Sequence, residues 1–228
     1  MGKVIILDET TTNPLQLIGE CSGLCYGSDT TDVDKNYKRG LDCLKSNHGR
    51  TLEFPQVYLL LKGYSARCIR ELYTHIGGMP TRLQASTRYI NYSKGEGFKY
   101  VIPHTIEKNE EACERYKALM ENINTEIASF IKDYKIPIED AGMALPLCME
   151  TDVIMRTNLR QLIDMAHQRK CTRAYWEIRK LMKDIEEALS NYSDGWKYII
   201  ESEFKPKCEV YGYCTEKKSC GRRPKKNI

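Results

Sequence analysis

The segment from Ile106 to Tyr134 restricts the fold more than any other, because its apolar residues recur at spacings of three and four. This period places them on one face of an α-helix of several turns. They are Tyr116, Leu119, Met120, Ile123, Ile127, Phe130 and Ile131. A long amphipathic helix is therefore expected in the folded domain.

Other segments predict shorter elements around this helix. Three runs rich in β-branched and aromatic residues are predicted to be strands; they cover residues 4–7, 56–63 and 98–102. Three further helices are expected: one is capped by Ser65 and ends before Gly77-Gly78, one starts near Thr157-Asn158, and one carries Ile178, Leu181, Met182, Ile185 and Leu189 on one face. The fold class is therefore α+β, with more helix than strand.

Charge and hydropathy argue against a nucleic-acid-binding, membrane-spanning or secreted protein. The net charge of +4 lies largely in the tail at 222–226, so no nucleic-acid partner is expected. The longest apolar run, Val57–Leu61, is too short to cross a bilayer, and the N-terminus lacks a signal-peptide pattern. We expect a cytoplasmic protein with no membrane partner, organised as a domain over residues 1–205 and a Cys- and Lys-rich tail over 206–228.

The cysteines favour reduced thiols. Ten cysteines without a signal peptide argue against a disulfide framework. Three of them, Cys208, Cys214 and Cys220, are evenly spaced in the tail but lack the paired spacing and fourth ligand of a zinc site. Free thiols and no metal are the interpretation we prefer.

The first polar constellation is Gln84-Ala85-Ser86-Thr87-Arg88-Tyr89, preceded by Arg82. Short hydroxyl groups beside a guanidinium suit a phosphate or carboxylate. The alternative is a capped turn with Arg88 in a surface ion pair, and local chemistry alone favours it. A nucleophilic role for Ser86 is not expected, because no base or GxSxG context accompanies it.

The second constellation runs from Arg156 to Arg179. Arg160, Asp164 and Gln168 are spaced by four and form one polar stripe, while Asn158 and Arg169 share another face. The alternative is an exposed helix with an Arg160–Asp164 pair that contributes a few tenths of a kcal/mol, roughly. These residues alone indicate no more than an anion-binding site.

Together the two segments resemble the flavin-dependent thymidylate synthases. That family shows a pattern close to RHRxxSxxxxSxRY in its first half, and N-x-R-x-L followed by an arginine and an aromatic "WEI" in its second. The matching residues here are Ser86-Thr87-Arg88-Tyr89 with Asn91-Tyr92, then Asn158-Leu159-Arg160-Gln161-Leu162, Arg169 and Trp176-Glu177-Ile178-Arg179. Weaker matches are His48 with Glu53, Glu139-Asp140-Ala141 and Leu145-Pro146-Leu147. The similarity covers nearly the whole chain in the right order.

The resemblance implies a central, mostly antiparallel sheet with a long-helix subdomain. It also implies a homotetramer that binds FAD in clefts shared between subunits. In such enzymes NADPH reduces the flavin, methylene-tetrahydrofolate supplies one carbon, and dUMP becomes dTMP. Reduced flavin and folate carry the difficult chemistry, so no protein nucleophile is required.

The resemblance also implies residue roles. Ser86, Thr87 and Arg88 would hold the dUMP phosphate, with Gln84 nearby. Arg169 would lie against the uracil and stabilise its enolate-like form, which is the catalytic role. The cofactor-binding residues would be His75, Arg82, Asn158, Arg160 and Asp164.

Several positions depart from the family pattern. Thr74-His75-Ile76 stands where the family has Arg-His-Arg, so two cations are missing, and the loop Gly77–Pro80 is longer by about two residues than the family's. Gly142 occupies the place of a common phosphate-binding arginine, and Arg50 replaces an upstream serine.

Three hypotheses follow from this pattern. The leading one is flavin-dependent methylation of dUMP. The second keeps FAD and folate but methylates or hydroxymethylates another pyrimidine nucleotide. The third is a flavin- or nucleotide-binding homologue without turnover.

Overall fold

The computed structural model describes residues 2–78 and 80–226; Met1, Met79, Asn227 and Ile228 lie outside the described residues. The strands in chain order are β1 (Lys3–Ile6), β2 (Gln56–Ser65), β3 (Thr81–Gln84) and β4 (Glu150–Asn158). The helices in chain order are α1 (Pro14–Cys25), α2 (Val33–Lys45), α3 (Ala66–Tyr73), α4 (His104–Glu107), α5 (Glu110–Lys132), α6 (Ile138–Ala141), α7 (Leu159–Arg169), α8 (Trp176–Tyr192), α9 (Asp194–Glu203) and α10 (Lys207–Tyr211). Short 3₁₀ turns cover Thr51–Glu53 and Gly142–Ala144.

The four strands form one antiparallel sheet in the order β1-β2-β4-β3. Its central strands alternate buried and less buried residues, as period-two strands with a covered face do. In β2 the buried residues include Val57, Leu59 and Leu61, and in β4 they include Val153 and Met155. The predicted α+β class and antiparallel sheet are confirmed.

The described chain divides into two compact units. Unit 1 consists of Met1–Lys3, Leu61–Arg70 and Leu83–Val153. Its core joins the apolar face of α5 to the segment before α4 and the residues around α6. The buried members are Phe98, Met120, Ile127, Ala141 and Met149. The long helix predicted from periodicity thus provides the main apolar face of this unit.

Unit 2 consists of Val4–Leu60, Glu71–Arg82 and Ile154–Ile228. Within it α1 packs on α2, and α8 packs on both α7 and α9. The apolar face of α8 is fully covered, as its spacing predicted; Ile178, Leu181, Met182, Ile185 and Leu189 are all buried. The boundary expected at residue 205 stays a prediction.

The structure differs from two local predictions. The helix expected over 106–134 is divided, because Asn109 accepts a hydrogen bond from Ala112 N–H at 3.0 Å and starts α5 there. The strand expected over 98–102 is wrong: only an isolated antiparallel bridge joins Tyr100 to Met149. The ring of Pro103 ends this short pairing, since proline cannot donate to a ladder.

Two further features bear on function. Each of the ten cysteines is a free thiol. Among the described helices, none has the length and apolar character needed to cross a membrane.

Candidate active site

The helix α7 begins at a capped asparagine. Asn158 has extended backbone angles, and its side-chain oxygen accepts a hydrogen bond from Gln161 N–H at 2.9 Å. This cap satisfies one of the free N–H groups at the helix start. Leu159, Leu162 and Met165 are fully buried and fix the helix in unit 2. Its polar side chains are therefore held on a rigid element.

The alternative interpretation expected Arg160 to pair with Asp164. In the structure Arg160 pairs with Glu53 instead. Its guanidinium donates to Glu53 at 2.7 Å, because the turn that carries Glu53 lies beside the start of α7. Arg50 also donates to Glu53 at 3.1 Å. These two guanidinium groups, Arg160 first, hold the pKa of the Glu53 carboxyl below its usual range. Asp164 is exposed.

Arg169, at the last turn of α7, is the best-anchored predicted site residue. Its Nε donates to His75 Nε2 at 2.8 Å, and its Nη1 donates to the Glu71 carboxylate at 3.1 Å. Its Nη2 donates to the Glu71 carbonyl at 3.3 Å and to Thr74 Oγ1 at 2.9 Å. A guanidinium carries five N–H donors, so four are used and one on Nη1 has no partner among the residues that the structure describes. The orientation of the fork is thus fixed by the end of α3 and the residues after it.

His75 is the neutral residue that accepts the hydrogen bond from Arg169 Nε. The residue is only 5% exposed. Burial lowers the pKa of its imidazole from 6.5 to about 4, and the charges of Arg169 and Arg82 act in the same direction. Because a guanidinium only donates, His75 Nε2 must accept, and we assign the ring proton to Nδ1. A neutral histidine therefore adds no charge beside Arg169.

Arg82 is the second arginine in contact with His75. It donates to the His75 carbonyl, and its guanidinium carbon lies 5.2 Å from the centre of the Tyr73 ring. Its Nε is buried and has no hydrogen-bond partner among the described residues. Burial lowers the pKa of the Arg82 guanidinium. An unsatisfied buried donor of this kind is costly and calls for a physical explanation.

A glycine pair lies over the start of α7. Gly78 has φ +66°, a left-handed conformation that side chains disfavour. A Cβ there would lie 2.9 Å from the Asn158 amide nitrogen, and one at Gly77 would lie 2.5 Å from the Gln161 amide oxygen. The loop, of which Met79 lies outside the described residues, therefore rests directly on the helix cap.

In unit 1, the segment after β3 forms the turn that the sequence singled out. Ser86 Oγ accepts hydrogen bonds from the N–H groups of Arg88 at 3.1 Å and Tyr89 at 3.3 Å. Arg88 donates to Glu139 at 2.9 Å, and the two side chains are 64% and 48% exposed. Gln84 donates to Thr151 Oγ1 at 3.3 Å. This is the capped turn with a surface ion pair that local chemistry favoured.

The turn also explains why residue 142 is a glycine. A Cβ at Gly142 would lie 2.8 Å from the Thr87 carbonyl oxygen. Any side chain there would displace the backbone of the turn. An arginine at this position would therefore not fit the packing of unit 1 as it stands.

A cavity of about 380 Å³ lies beside this turn, lined among others by Ala85, Tyr92, Phe98 and Asp152. The Tyr92 hydroxyl is buried and has no hydrogen-bond partner in the described part of the chain. Burial, followed by the nearby Asp152 carboxylate, raises the pKa of the Tyr92 phenol. Sequence reasoning gave Tyr92 no role, although it lies three positions after Tyr89 of the Ser-Thr-Arg-Tyr motif.

The structure thus brings the predicted residues together within each unit. In unit 2, His75, Arg82 and Arg169 form one cluster, which we call the His75–Arg169 cluster, while Arg160 pairs elsewhere. In unit 1, Ser86 and Arg88 share one turn, which we call the Ser86–Arg88 turn. Sequence reasoning missed Glu71 and Thr74, whose role depends on contacts with a residue more than ninety positions away.

Comparison with solved structures gives the fold first. The solved structure of thymidylate synthase X from Helicobacter pylori with FAD and dUMP superposes with a TM-score of 0.67, at 21% identity, covering 90% of this chain and 100% of that one. A second structure of that protein, also complexed with FAD and dUMP, gives a TM-score of 0.66. This likeness establishes the fold.

Sequence comparison then gives the family. The family model described as thymidylate synthase complementing protein matches residues 6–192. The flavin-dependent thymidylate synthase of Pyrococcus furiosus is 31% identical over 193 residues, covering 82% of this chain and 74% of that protein. The enzyme of Clostridium tetani is 29% identical and covers 97% of this chain and 94% of its own length. The chain belongs to the thymidylate synthase complementing protein family, and the resemblance seen in its motifs is confirmed.

Proposed function

We propose that this protein is an FAD-dependent thymidylate synthase that methylates dUMP to dTMP. Family membership and the activity named for its relatives support the reaction. Within the chain, the observation that carries the proposal is the guanidinium of Arg169, held by four hydrogen bonds with one donor left over. Such a preorganised cation suits a ring that gains negative charge during reaction.

Arg169 is assigned the pyrimidine. Its remaining Nη1 donor would hydrogen-bond a uracil carbonyl oxygen, and its positive charge would stabilise the enolate-like form of the ring. The neutral state of His75 matters here, because a second cation beside Arg169 would repel it and loosen the network. Glu71 compensates part of the charge without removing the free donor.

The Ser86–Arg88 turn is assigned the dUMP phosphate. Ser86 and Thr87 provide hydroxyl groups, Arg88 provides a planar fork, and Gln84 provides an amide beside them. The Arg88–Glu139 pair is exposed, so exchanging the carboxylate for a phosphate costs little. Since Gly142 brings no arginine, Arg88 carries most of the positive charge in this turn.

FAD is assigned to His75, Arg82, Asn158, Arg160 and Asp164. The buried Nε of Arg82 fits a cofactor, because an acceptor group would satisfy a donor that has no partner among the described residues. Arg160 can turn from Glu53 toward an anion, since their pair is half-exposed. When bound and reduced, the flavin supplies the reducing equivalents. The residues of this chain hold and orient it.

The remaining parts of the reaction come from the resemblance. NADPH is the proposed reductant and methylene-tetrahydrofolate the proposed one-carbon donor. We propose a homotetramer in which the phosphate-binding and pyrimidine-binding residues meet in clefts shared between subunits.

The cavity beside Tyr92 is a further place where an aromatic ligand would find a hydrogen-bonding hydroxyl.

Two measurements test the proposal. The absorbance spectrum of the purified protein, before and after addition of FAD, should show a bound flavin. Turnover with dUMP, methylene-tetrahydrofolate and NADPH should then yield dTMP. A hydroxymethylated product would move the reaction to another pyrimidine modification. A protein that binds FAD and dUMP but never turns over would be a binding homologue, and one that binds neither would contradict the proposal.

A further inference from the structure

The residues after α9 enclose a cavity of about 510 Å³ against the end of α7. This volume suits a small organic ligand. Arg169 is its only lining residue with a role in the proposed function, among the described residues. Much of the lining lies beyond residue 192, where the family match ends. We call this space the basic cavity; most of its lining residues have no part in the proposed synthase activity.

Four of the ten cysteines line the basic cavity. They are Cys171, Cys208, Cys214 and Cys220. All four are free thiols; Cys220 is exposed, Cys214 is buried, and the other two are partly buried. No group of three or more metal-ligating side chains in the described residues is arranged to hold a metal ion. The thiols therefore share one solvent-connected space without forming a ready metal site.

The same cavity is strongly positive. Its cationic side chains are Arg169, Arg173, Lys207, Lys218 and Arg222. Glu216 is the single carboxylate among the described lining residues. Arg222 lies 3.7 Å from Glu209, while the side chains of Arg173 and Lys218 have no hydrogen bond or ion pair with any described residue. Cationic side chains that line the same cavity as an exposed sulfur attract anions and favour a thiolate.

Cys220 is the thiol best placed to react. Its sulfur is in hydrogen-bond contact with the Thr172 hydroxyl, which lowers the pKa of the thiol. The backbone N–H and the charge of Arg222 act in the same direction. Reactive cysteines lie in such electropositive, accessible surroundings, whereas buried structural cysteines are inert. Cys25 is also exposed but lies outside the cavity, so it serves as an internal reference.

We propose that Cys220 is a thiol–disulfide exchange site and that the basic cavity admits small anionic disulfides to it. The Cys220 thiolate attacks one sulfur of the incoming disulfide, and the sulfur–sulfur bond of that molecule breaks. A mixed disulfide forms at Cys220, and the other half leaves as a thiolate that takes a proton from water. The disulfide is the oxidant, so no further reagent is required.

The test uses the full reduced chain and two disulfides of opposite charge. Glutathione disulfide is anionic and cystamine is cationic. Adducts are trapped with acid at timed intervals and assigned to peptides by mass spectrometry. We expect glutathione disulfide to modify Cys220 about tenfold faster than Cys25, the lower end of the range for electrostatic steering. We also expect the glutathione-to-cystamine rate ratio to be several times larger at Cys220 than at Cys25.

Variants separate attraction by charge from simple exposure. Replacing both Arg173→Gln and Lys218→Gln should bring the rate ratio at Cys220 close to that at Cys25. Lys183→Gln, on the exposed face of α8, should leave it unchanged. Cys220→Ser should remove the adduct altogether. Equal rates at Cys220 and Cys25, or a rate ratio that the double variant does not alter, would overturn the proposal. None of these measurements involves dUMP turnover, so they stand apart from the synthase assay.

Discussion

The His75–Arg169 cluster and the Ser86–Arg88 turn each present an arginine, but they hold it in opposite ways. The side chain of Arg169 is 17% exposed and makes four hydrogen bonds inside the protein. That of Arg88 is 64% exposed and has one carboxylate partner. The first arginine is positioned before any ligand arrives. The second must release its carboxylate partner before it can bind a ligand. Replacing Arg169 should therefore affect both ligand binding and stability, whereas replacing Arg88 should affect mainly ligand binding.

The largest effect should come from removing the fixed arginine. We expect Arg169→Ala to lower kcat by about 10²–10³-fold, the range seen when one preorganised charge-stabilising group is lost. FAD binding, followed by flavin absorbance, should stay mostly intact. Arg169→Lys keeps the charge but cannot reproduce the four-bonded fork, so it should recover only a small part of the rate. Activity within a few-fold of wild type in Arg169→Ala would remove the pyrimidine assignment.

The cluster should also make stability depend on pH. Because the pKa of His75 is about 4 in the folded protein and 6.5 ordinarily, the unfolded chain binds more protons between these values. The free energy of unfolding therefore falls as the pH drops from about 7 to 4, by up to about 3 kcal/mol. Denaturant titrations across this range should show the slope.

His75→Gln is the matched control for this slope. Glutamine can still offer an oxygen to Arg169 Nε but does not titrate. Its unfolding free energy should therefore depend less steeply on pH in the same window. Arg88→Gln, by contrast, should keep the wild-type slope. If His75→Gln and wild type showed the same slope, the acid sensitivity would have to originate outside the cluster.

A third, smaller effect concerns the loop over α7. Gly78→Ala introduces a side chain at a positive φ and 2.9 Å from the Asn158 amide, and should destabilise the protein by about 2 kcal/mol. Gly27→Ala has a similar φ of +60° but no atom within 4 Å of the new Cβ. The difference between the two unfolding energies isolates the contact with the helix cap. Equal costs would mean that the loop does not press on Asn158.

The smallest effect on stability is expected in the turn. Arg88→Gln should change the free energy of unfolding by less than about 1 kcal/mol, because its ion pair is exposed. The same variant should weaken dUMP binding about tenfold if Arg88 contacts the phosphate. Calorimetry with dUMP and with deoxyuridine separates the phosphate from the base. A variant that lost equal affinity for both ligands would contradict the phosphate assignment.

Periodic segments were predictable from the sequence, and so was the family. The face of α8 follows directly from its spacing, whereas that of α5 follows only in part, because Met120 and Ile127 are buried but Leu119 and Phe130 are exposed. The caps at Ser65 and Asn158 follow from residue chemistry. The strand β4 was missed although Val153 and Met155 alternate along it, because polar residues such as Asp152 and Arg156 interrupt the apolar pattern. Thr151 and Thr157 complete the buried face of β4, and their burial depends on the folded sheet.

The site was predictable only in part. Its residues could be named from motifs, but their contacts could not. The hydrogen bond between Arg169 and His75 joins residues 94 positions apart, and no local pattern encodes it. The burial of Arg82 Nε, which has no hydrogen-bond partner in the described part of the chain, likewise depends on how the chain packs around it. Sequence identifies the chemistry available, whereas tertiary packing decides which group is neutral, fixed or free.

The tight fit of Gly142 against the Thr87 carbonyl has a consequence for the engineering of this protein. An arginine cannot simply be put back at that position, because its first carbon would already collide with the neighbouring main chain. The turn would have to be rebuilt first, and only then would the extra cation be tolerated. Gly142→Arg alone should therefore destabilise unit 1.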